Sequence, residues 1–88
     1  MKTLLIVDDE VEICTLLTRF FSSRGFRTQT AHSGHEALEK LKAETPDYLL
    51  LDIRMPDISG LDVLQAVKRQ YPDVKVVMVT ALGDHDTL

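Results

Sequence analysis

Three runs of consecutive apolar residues each lead into a polar residue, and this pattern constrains the fold more than any other feature of the chain. Leu4-Leu5-Ile6-Val7 leads into Asp8-Asp9, Tyr48-Leu49-Leu50-Leu51 into Asp52, and Val76-Val77-Met78-Val79 into Thr80. A strand that is apolar at every position, rather than at alternate ones, suits a parallel sheet covered on both faces by helices. Ligands of open α/β sheets gather outside the carboxyl ends of the strands. The pattern therefore predicts that three carboxylates and a hydroxyl converge on one rim, an arrangement suited to a divalent cation and a phosphoryl group.

Between the runs the periodicity is that of helices. Asp9 is placed to cap a helix spanning Glu10 to Arg24, in which Ile13, Leu16, Leu17 and Phe20 form an apolar stripe widened by Phe21, with Gly25 as its stop. Phe26 to Ala31 reads as a more polar strand suited to a sheet edge. Ser33-Gly34-His35-Glu36 has capping-box spacing, with Ala37, Leu38 and Leu41 as the apolar face and Thr45-Pro46-Asp47 as the end. Pro56 and Gly60 shape the loop after Asp52, where Gly60 is expected to supply backbone freedom. A third helix starts at Ser59-x-x-Asp62, its faces defined by Leu61, Leu64 and Val67 or Lys68, and Tyr71-Pro72-Asp73 breaks it before a strand from Val74 to Val79. The order βαβαβαβ with short linkers indicates an α/β fold, a doubly wound parallel sheet with right-handed crossovers.

Eighty-eight residues allow one domain, and 44 % hydrophobic with 27 % charged residues is an ordinary globular composition. No apolar run approaches the ~20 residues of a membrane span, and the amino terminus has no signal-peptide layout, so a cytoplasmic address without membrane association is expected. The net charge of -4 and scattered basic residues argue against nucleic acid as the partner. Cys14 is the single cysteine and falls inside a helix, so a packed thiol is expected.

Carboxylates gathered on one rim repel one another; a pair ~4 Å apart costs about 4 kcal/mol at an effective dielectric of 20. A cation relieves that repulsion, and carboxylate and carbonyl oxygens suit Mg²⁺, which takes one or two carboxylates and a phosphate oxygen. An aspartate beside such an ion is a known kind of phosphoryl acceptor. Taken singly, Asp8-Asp9 would usually be a helix cap, Asp52 a loop cap and Thr80 a strand residue. Their joint placement after three apolar strands favours a site. His32, His35 and His85 each read as solvated residues.

At these positions the chain resembles the receiver domain of two-component response regulators. Val7-Asp8-Asp9-Glu10, Leu50-Leu51-Asp52-Ile53-Arg54-Met55-Pro56-Asp57-Ile58-Ser59-Gly60 and Val79-Thr80-Ala81 stand in the family's order and spacing. The resemblance covers residues 1–88 and implies a flavodoxin-like receiver fold with strand order 2-1-3-4-5. It implies that Asp52 is the phosphoryl acceptor, and that Asp9 and Asp52 bind Mg²⁺ directly. The backbone carbonyl of Arg54 is then a third ligand, with Asp8 acting partly through water. Thr80 becomes the switch hydroxyl, and the Ala81 amide a donor to the phosphoryl oxygens. The partner so implied is a histidine kinase or a small phosphodonor, and the chain modifies only itself rather than turning over a substrate.

The same comparison gives expectations of incompleteness. The sequence ends at Leu88, before the residues that would form a fourth helix, fifth strand and fifth helix, so the family's lysine after the fifth strand and its aromatic switch residue have no counterpart here. An uncovered fourth strand favours association, giving the expectation of a homodimer, paired directly or by exchanged elements. The alternative function is a receiver-like interaction or scaffold protein without phosphoryl chemistry. An aspartyl-phosphate phosphatase is disfavoured, because Arg54 stands where a second acid–base aspartate would be needed.

Overall fold

A computed structural model describes residues 1–55 and 57–79. The elements are β1 (Thr3–Val7), α1 (Val11–Ser22), β2 (Arg27–Ala31), α2 (Gly34–Ala43), β3 (Tyr48–Asp52), α3 (Gly60–Gln70) and β4 (Lys75–Val79). The four strands form one sheet in the order β2-β1-β3-β4, all pairs parallel, so β1 is hydrogen-bonded on both sides. Register aligns Val7 with Ala31 and Leu51, and Asp52 with Val79, which brings the carboxyl ends of the strands to a common rim.

For the first two apolar runs, in β1 and β3, the unbroken pattern is explained by burial on both faces. Leu5 and Val7 join Leu49, Leu51, Ala37, Leu41, Val63 and Val67 in the core under α2 and α3. Their neighbours Leu4 and Ile6 turn the other way, onto Cys14, Leu17, Phe21 and Phe26 of the α1 layer. Burying a Leu or Ile side chain contributes roughly 1.5–3 kcal/mol, so the fully apolar strand β1 supplies stability on both sides of the sheet. β4 is only partly covered among the described residues, and Val77 is 52 % exposed.

Several local expectations shift by one helical position. In α1 the buried line is Cys14 with partly buried Leu17 and Phe21, while Ile13, Leu16 and Phe20 are exposed. The periodicity located an apolar stripe but could not say which edge of it meets the sheet. Phe21 is fixed there by edge-to-face contact with Phe26, centroids 5.6 Å apart, and Phe26 in turn meets Tyr48 at 5.8 Å. Gly25 ends α1 with φ of 92°, and the Phe26 N–H closes the turn by donating to the Phe21 carbonyl. In α3 the buried residues are Gly60, Val63 and Val67, and Leu61 is exposed.

Helix starts follow the sequence signals in two cases out of three. Ser33 Oγ accepts from the Glu36 N–H at 3.1 Å, and Glu36 Oε1 accepts from the His32 N–H at 2.9 Å. Ser59 Oγ accepts from the Leu61 N–H at 3.1 Å. Asp9, however, does not cap α1: Glu10 occupies the N-cap position without a side-chain cap bond. The carboxylate that serves this turn is Asp8, whose Oδ1 accepts from the Glu10 N–H at 2.9 Å.

Gly60 is needed for close approach rather than for an unusual backbone angle, since among the described residues only Gly25 has a positive φ. A Cβ at Gly60 would overlap the Asp52 carbonyl oxygen and lie 2.7 Å from the Ile53 Cα, both main-chain atoms. The Gly60 N–H donates to the Ile53 carbonyl at 2.8 Å, closing the loop that follows Asp52. Gly60→Ala is therefore expected to destabilise the protein by about 1–3 kcal/mol in urea unfolding, because backbone cannot move aside as a side chain can. An unchanged midpoint would show that the loop relaxes freely.

Candidate acidic site at the sheet rim

Parallel pairing carries Asp8 and Asp52 to the rim on adjacent strand ends, because β1 and β3 are neighbours in the sheet. Asp9 follows in the β1–α1 turn. The structure brings together Asp8, Asp9 and Asp52, each offering one carboxylate oxygen, all within 4.8 Å of one another. Asp52 is the most enclosed, at 9 % exposure; Asp8 is half-buried and Asp9 is exposed. Asp52 Oδ1 accepts from the Arg54 N–H at 3.2 Å, which orients the carboxylate and folds the chain back over it. Of the residues expected at the site, Thr80 and Ala81 lie outside the described residues, as does Pro56 in the adjoining loop.

The three oxygens form a strained set of like charges. At the outer separation of 4.8 Å a carboxylate pair repels by about 3 kcal/mol at an effective dielectric of 20, and less where water reaches Asp9. Asp8 registers this environment directly. Burial, and then the charges of Asp52, Asp9 and Glu10, push its pKa above the usual carboxylate value, against the lowering effect of the Glu10 N–H. The set fits a hard divalent cation on chemistry alone: it consists of oxygen donors of one charge sign, held close together, with the Arg54 main chain adjoining.

Two supports of this site were not legible in the sequence. Cys14, 2 % exposed, places its Sγ 3.4 Å from the Asp8 carbonyl oxygen, to which the thiol donates. Burial and the nearby Asp8 charge push its thiol pKa up, so Cys14 is a packed neutral thiol, as its helical position suggested. The second support is Asp57, placed in the loop by sequence but given no role. Its carboxylate accepts from the N–H groups of Gly34, His35 and Ile58, and Oδ2 is 2.6 Å from His35 Nδ1. The first three bonds and the His35 ring hold its pKa well below the usual carboxylate range. His35 is exposed in the first turn of α2, as expected of a solvated helix-terminal residue, and in addition pairs with this carboxylate. No local signal links positions 22 residues apart; only the docking of the loop on α2 does so.

The Asp8 environment has a direct thermodynamic consequence. An acid whose folded-state pKa is raised weakens folding once both states are ionised, and this penalty disappears as pH falls through the raised value. Asp8→Asn keeps an oxygen for the Glu10 N–H and removes one charge. In metal-free buffer it is expected to raise the thermal midpoint at pH 7, with the gain shrinking as pH falls through the raised Asp8 value toward the ordinary aspartate range. A midpoint no higher than that of the unmodified chain at pH 7 would contradict the charge-strain account.

The fold agrees with that of known proteins. A family model described as "Response regulator receiver domain" matches residues 4–88. The luminescence regulatory protein LuxO of Vibrio campbellii is 38 % identical over 82 residues, which is 93 % of this chain and 18 % of LuxO, so the chain spans about a fifth of that relative's length. The crystal structure of response regulator TrrA from Thermotoga maritima, in complex with Mg²⁺ and BeF, superimposes with a TM-score of 0.89 at 38 % identity, covering 99 % of this chain and 76 % of that one. A chain of the solved complex between histidine kinase ThkA and TrrA gives a TM-score of 0.86 at 41 % identity, covering 92 % and 70 % of the two chains. With the parallel α/β sheet and the matched sequence in agreement, the chain belongs to the response regulator receiver domain family of two-component signalling.

Proposed function

We propose that this chain is a Mg²⁺-dependent phosphoryl-accepting module, with Asp52 as the acceptor and a histidine kinase or small phosphodonor as the source. The observation that carries the proposal is the convergence of Asp8, Asp9 and Asp52 oxygens within 4.8 Å at the sheet rim. Family membership supports it, as does the resemblance to TrrA, which has been solved with Mg²⁺ and BeF and with a histidine kinase. The residues that would hold Mg²⁺ are Asp8, Asp9 and Asp52 together with the Arg54 carbonyl. When bound, the ion offsets the carboxylate charge and that of the incoming phosphoryl oxygens.

The residues of the chain supply the rest. An Asp52 oxygen attacks phosphorus, the donor's P–N or P–O bond breaks, and the donor atom leaves with the electron pair and takes up a proton. The product is an acyl phosphate on Asp52, formed once per chain without release, which is modification rather than turnover. The Arg54 N–H fixes the attacking carboxylate before the donor arrives. Enclosure at 9 % exposure limits water around the reacting oxygen. Thr80 and Ala81 are proposed to contact the phosphoryl group, on the strength of the family motif alone.

The partly covered β4 supports a further part of this reading. Among the described residues, exposed Val77 on one face of β4, and on the other an open depression of about 490 Å³ lined by Leu64, Lys68, Pro72, Val74, Val76 and Met78, are partly apolar surfaces that a second copy of the chain would cover. Sedimentation velocity is expected to show a dimer, and a monomer at all accessible concentrations would remove this element.

Incubation with a small phosphodonor and Mg²⁺ is expected to add the mass of one phosphoryl group to the intact chain, and none to Asp52→Asn. Mg²⁺ alone is expected to raise the thermal midpoint of the unmodified chain, by mass action on the folded state, and not that of Asp8→Asn. No adduct under conditions that label another receiver, with no Mg²⁺ stabilisation, would replace this reading with that of an interaction module lacking phosphoryl chemistry.

A further inference from the structure

The β3–α3 loop is tied at three places. At its start the Arg54 N–H donates to Asp52 Oδ1, and at its end the Gly60 N–H donates to the Ile53 carbonyl. The third tie is remote. Asp57 Oδ1 accepts from the Gly34 N–H at 2.9 Å, Asp57 Oδ2 accepts from the His35 N–H at 2.9 Å, and the same Oδ2 meets His35 Nδ1 at 2.6 Å. Beside these bonds Ile58 packs so closely over Gly34 that any Cβ there would collide with its side chain. Val63 of α3 closes the same spot with an apolar methyl.

These contacts make the loop part of the first turn of α2. A helix begins with N–H groups that have no partner within the helix, and these are ordinarily satisfied by the residue just before it. Here Ser33 serves Glu36 alone, and the amides of Gly34 and His35 are served by the loop. The carboxylate also lies at the positive end of the α2 dipole, where negative charge is favoured. Leaving both amides unpaired would be unfavourable, so α2 and the loop hold each other in place.

We propose that Asp57 is a positioning residue for the acidic site: by fastening the loop to the α2 amino terminus, it fixes the Arg54 main chain against Asp52 and so sets metal affinity and the rate of phosphoryl acceptance. The proposal rests on the phosphoryl-acceptor reading for its functional half and on the described contacts for its mechanical half. Groups that orient a metal's ligands without touching the metal typically change affinity or activity by about 10–100-fold when removed. His35 is the secondary tie, since its ring adds one contact to a carboxylate already held by three N–H groups.

The test uses the full chain and compares Asp57→Ala, Asp57→Asn and His35→Ala. Three readouts are needed: amide hydrogen exchange without metal, Mg²⁺ titration by calorimetry, and the initial rate of adduct formation with a small phosphodonor at saturating Mg²⁺. In Asp57→Ala the Arg54 and Gly60 amides are expected to exchange about tenfold faster, while the Leu4–Val7 amides of β1 are unchanged. Mg²⁺ affinity and adduct rate are expected to fall about tenfold. Asp57→Asn, which keeps one oxygen for the Gly34 and Ile58 N–H groups, is expected to recover part of each loss, and His35→Ala to lose less than Asp57→Ala. A purely structural role would lower the thermal midpoint while leaving affinity and rate at the unmodified values, and that result overturns the proposal. If the unmodified chain binds no Mg²⁺ and forms no adduct, the phosphoryl-acceptor reading fails instead. Exchange still decides the mechanical half, because unchanged Arg54 and Gly60 protection in Asp57→Ala overturns it.

Discussion

Mutual repulsion among Asp8, Asp9 and Asp52 is the constraint around which the molecule is organised. Three carboxylate oxygens stay within 4.8 Å of one another because other interactions hold their attachment points there. The β1–β3 pairing fixes two of them in register, and both strands are anchored by side chains buried above and below the sheet. The stability of that double-sided core supports a locally unfavourable cluster of charge. Functional sites commonly depart in this way from the best local arrangement.

The supports divide by distance in sequence. Near the site, the Asp8 carboxylate meets the Glu10 N–H and the Asp8 carbonyl receives the Cys14 thiol, so the β1–α1 turn is held from its own residues. Farther away, Asp47 connects the starts of β1 and β3, its Oδ2 accepting from the Thr3 N–H at 2.9 Å, while Arg27 and Gln29 of β2 both reach Glu44 at the end of α2. These contacts lie at the end of the sheet opposite the acidic rim.

Much of this was legible in the chain. The runs Leu4–Val7 and Tyr48–Leu51 announced strands buried on both faces, and the polar residue after each announced the rim, because period and position relative to the strand end are local properties. Helix faces were less legible. Ile13, Leu16 and Phe20 have helical spacing as good as that of Cys14, Leu17 and Phe21, and the choice between them depends on where Phe26 and Tyr48 sit. In α3 the spacing named Val67, which is buried, but not Val63, which is turned inward beside it, while Leu61 lies on the exposed face. Gly60 was recognised as special, but the reason lay in the third dimension, in the main chain of Asp52 and Ile53 passing beside it. Asp9 and Asp8 are adjacent carboxylates, and only the turn geometry decides which one receives the Glu10 amide.

The capping of α2 by Asp57 also bears on the order in which the chain can complete its structure. During synthesis from the amino end, Gly34 and His35 emerge 23 and 22 residues ahead of the carboxylate that receives their amides. Ser33 and Glu36 can begin the turn locally, but the amino end of α2 is finished only when β3 has paired with β1 and its loop has come to rest. The amino-terminal cap of α2 is therefore completed after β3, which follows it in sequence, and a chain with that cap complete is one in which the loop after Asp52 is already in place.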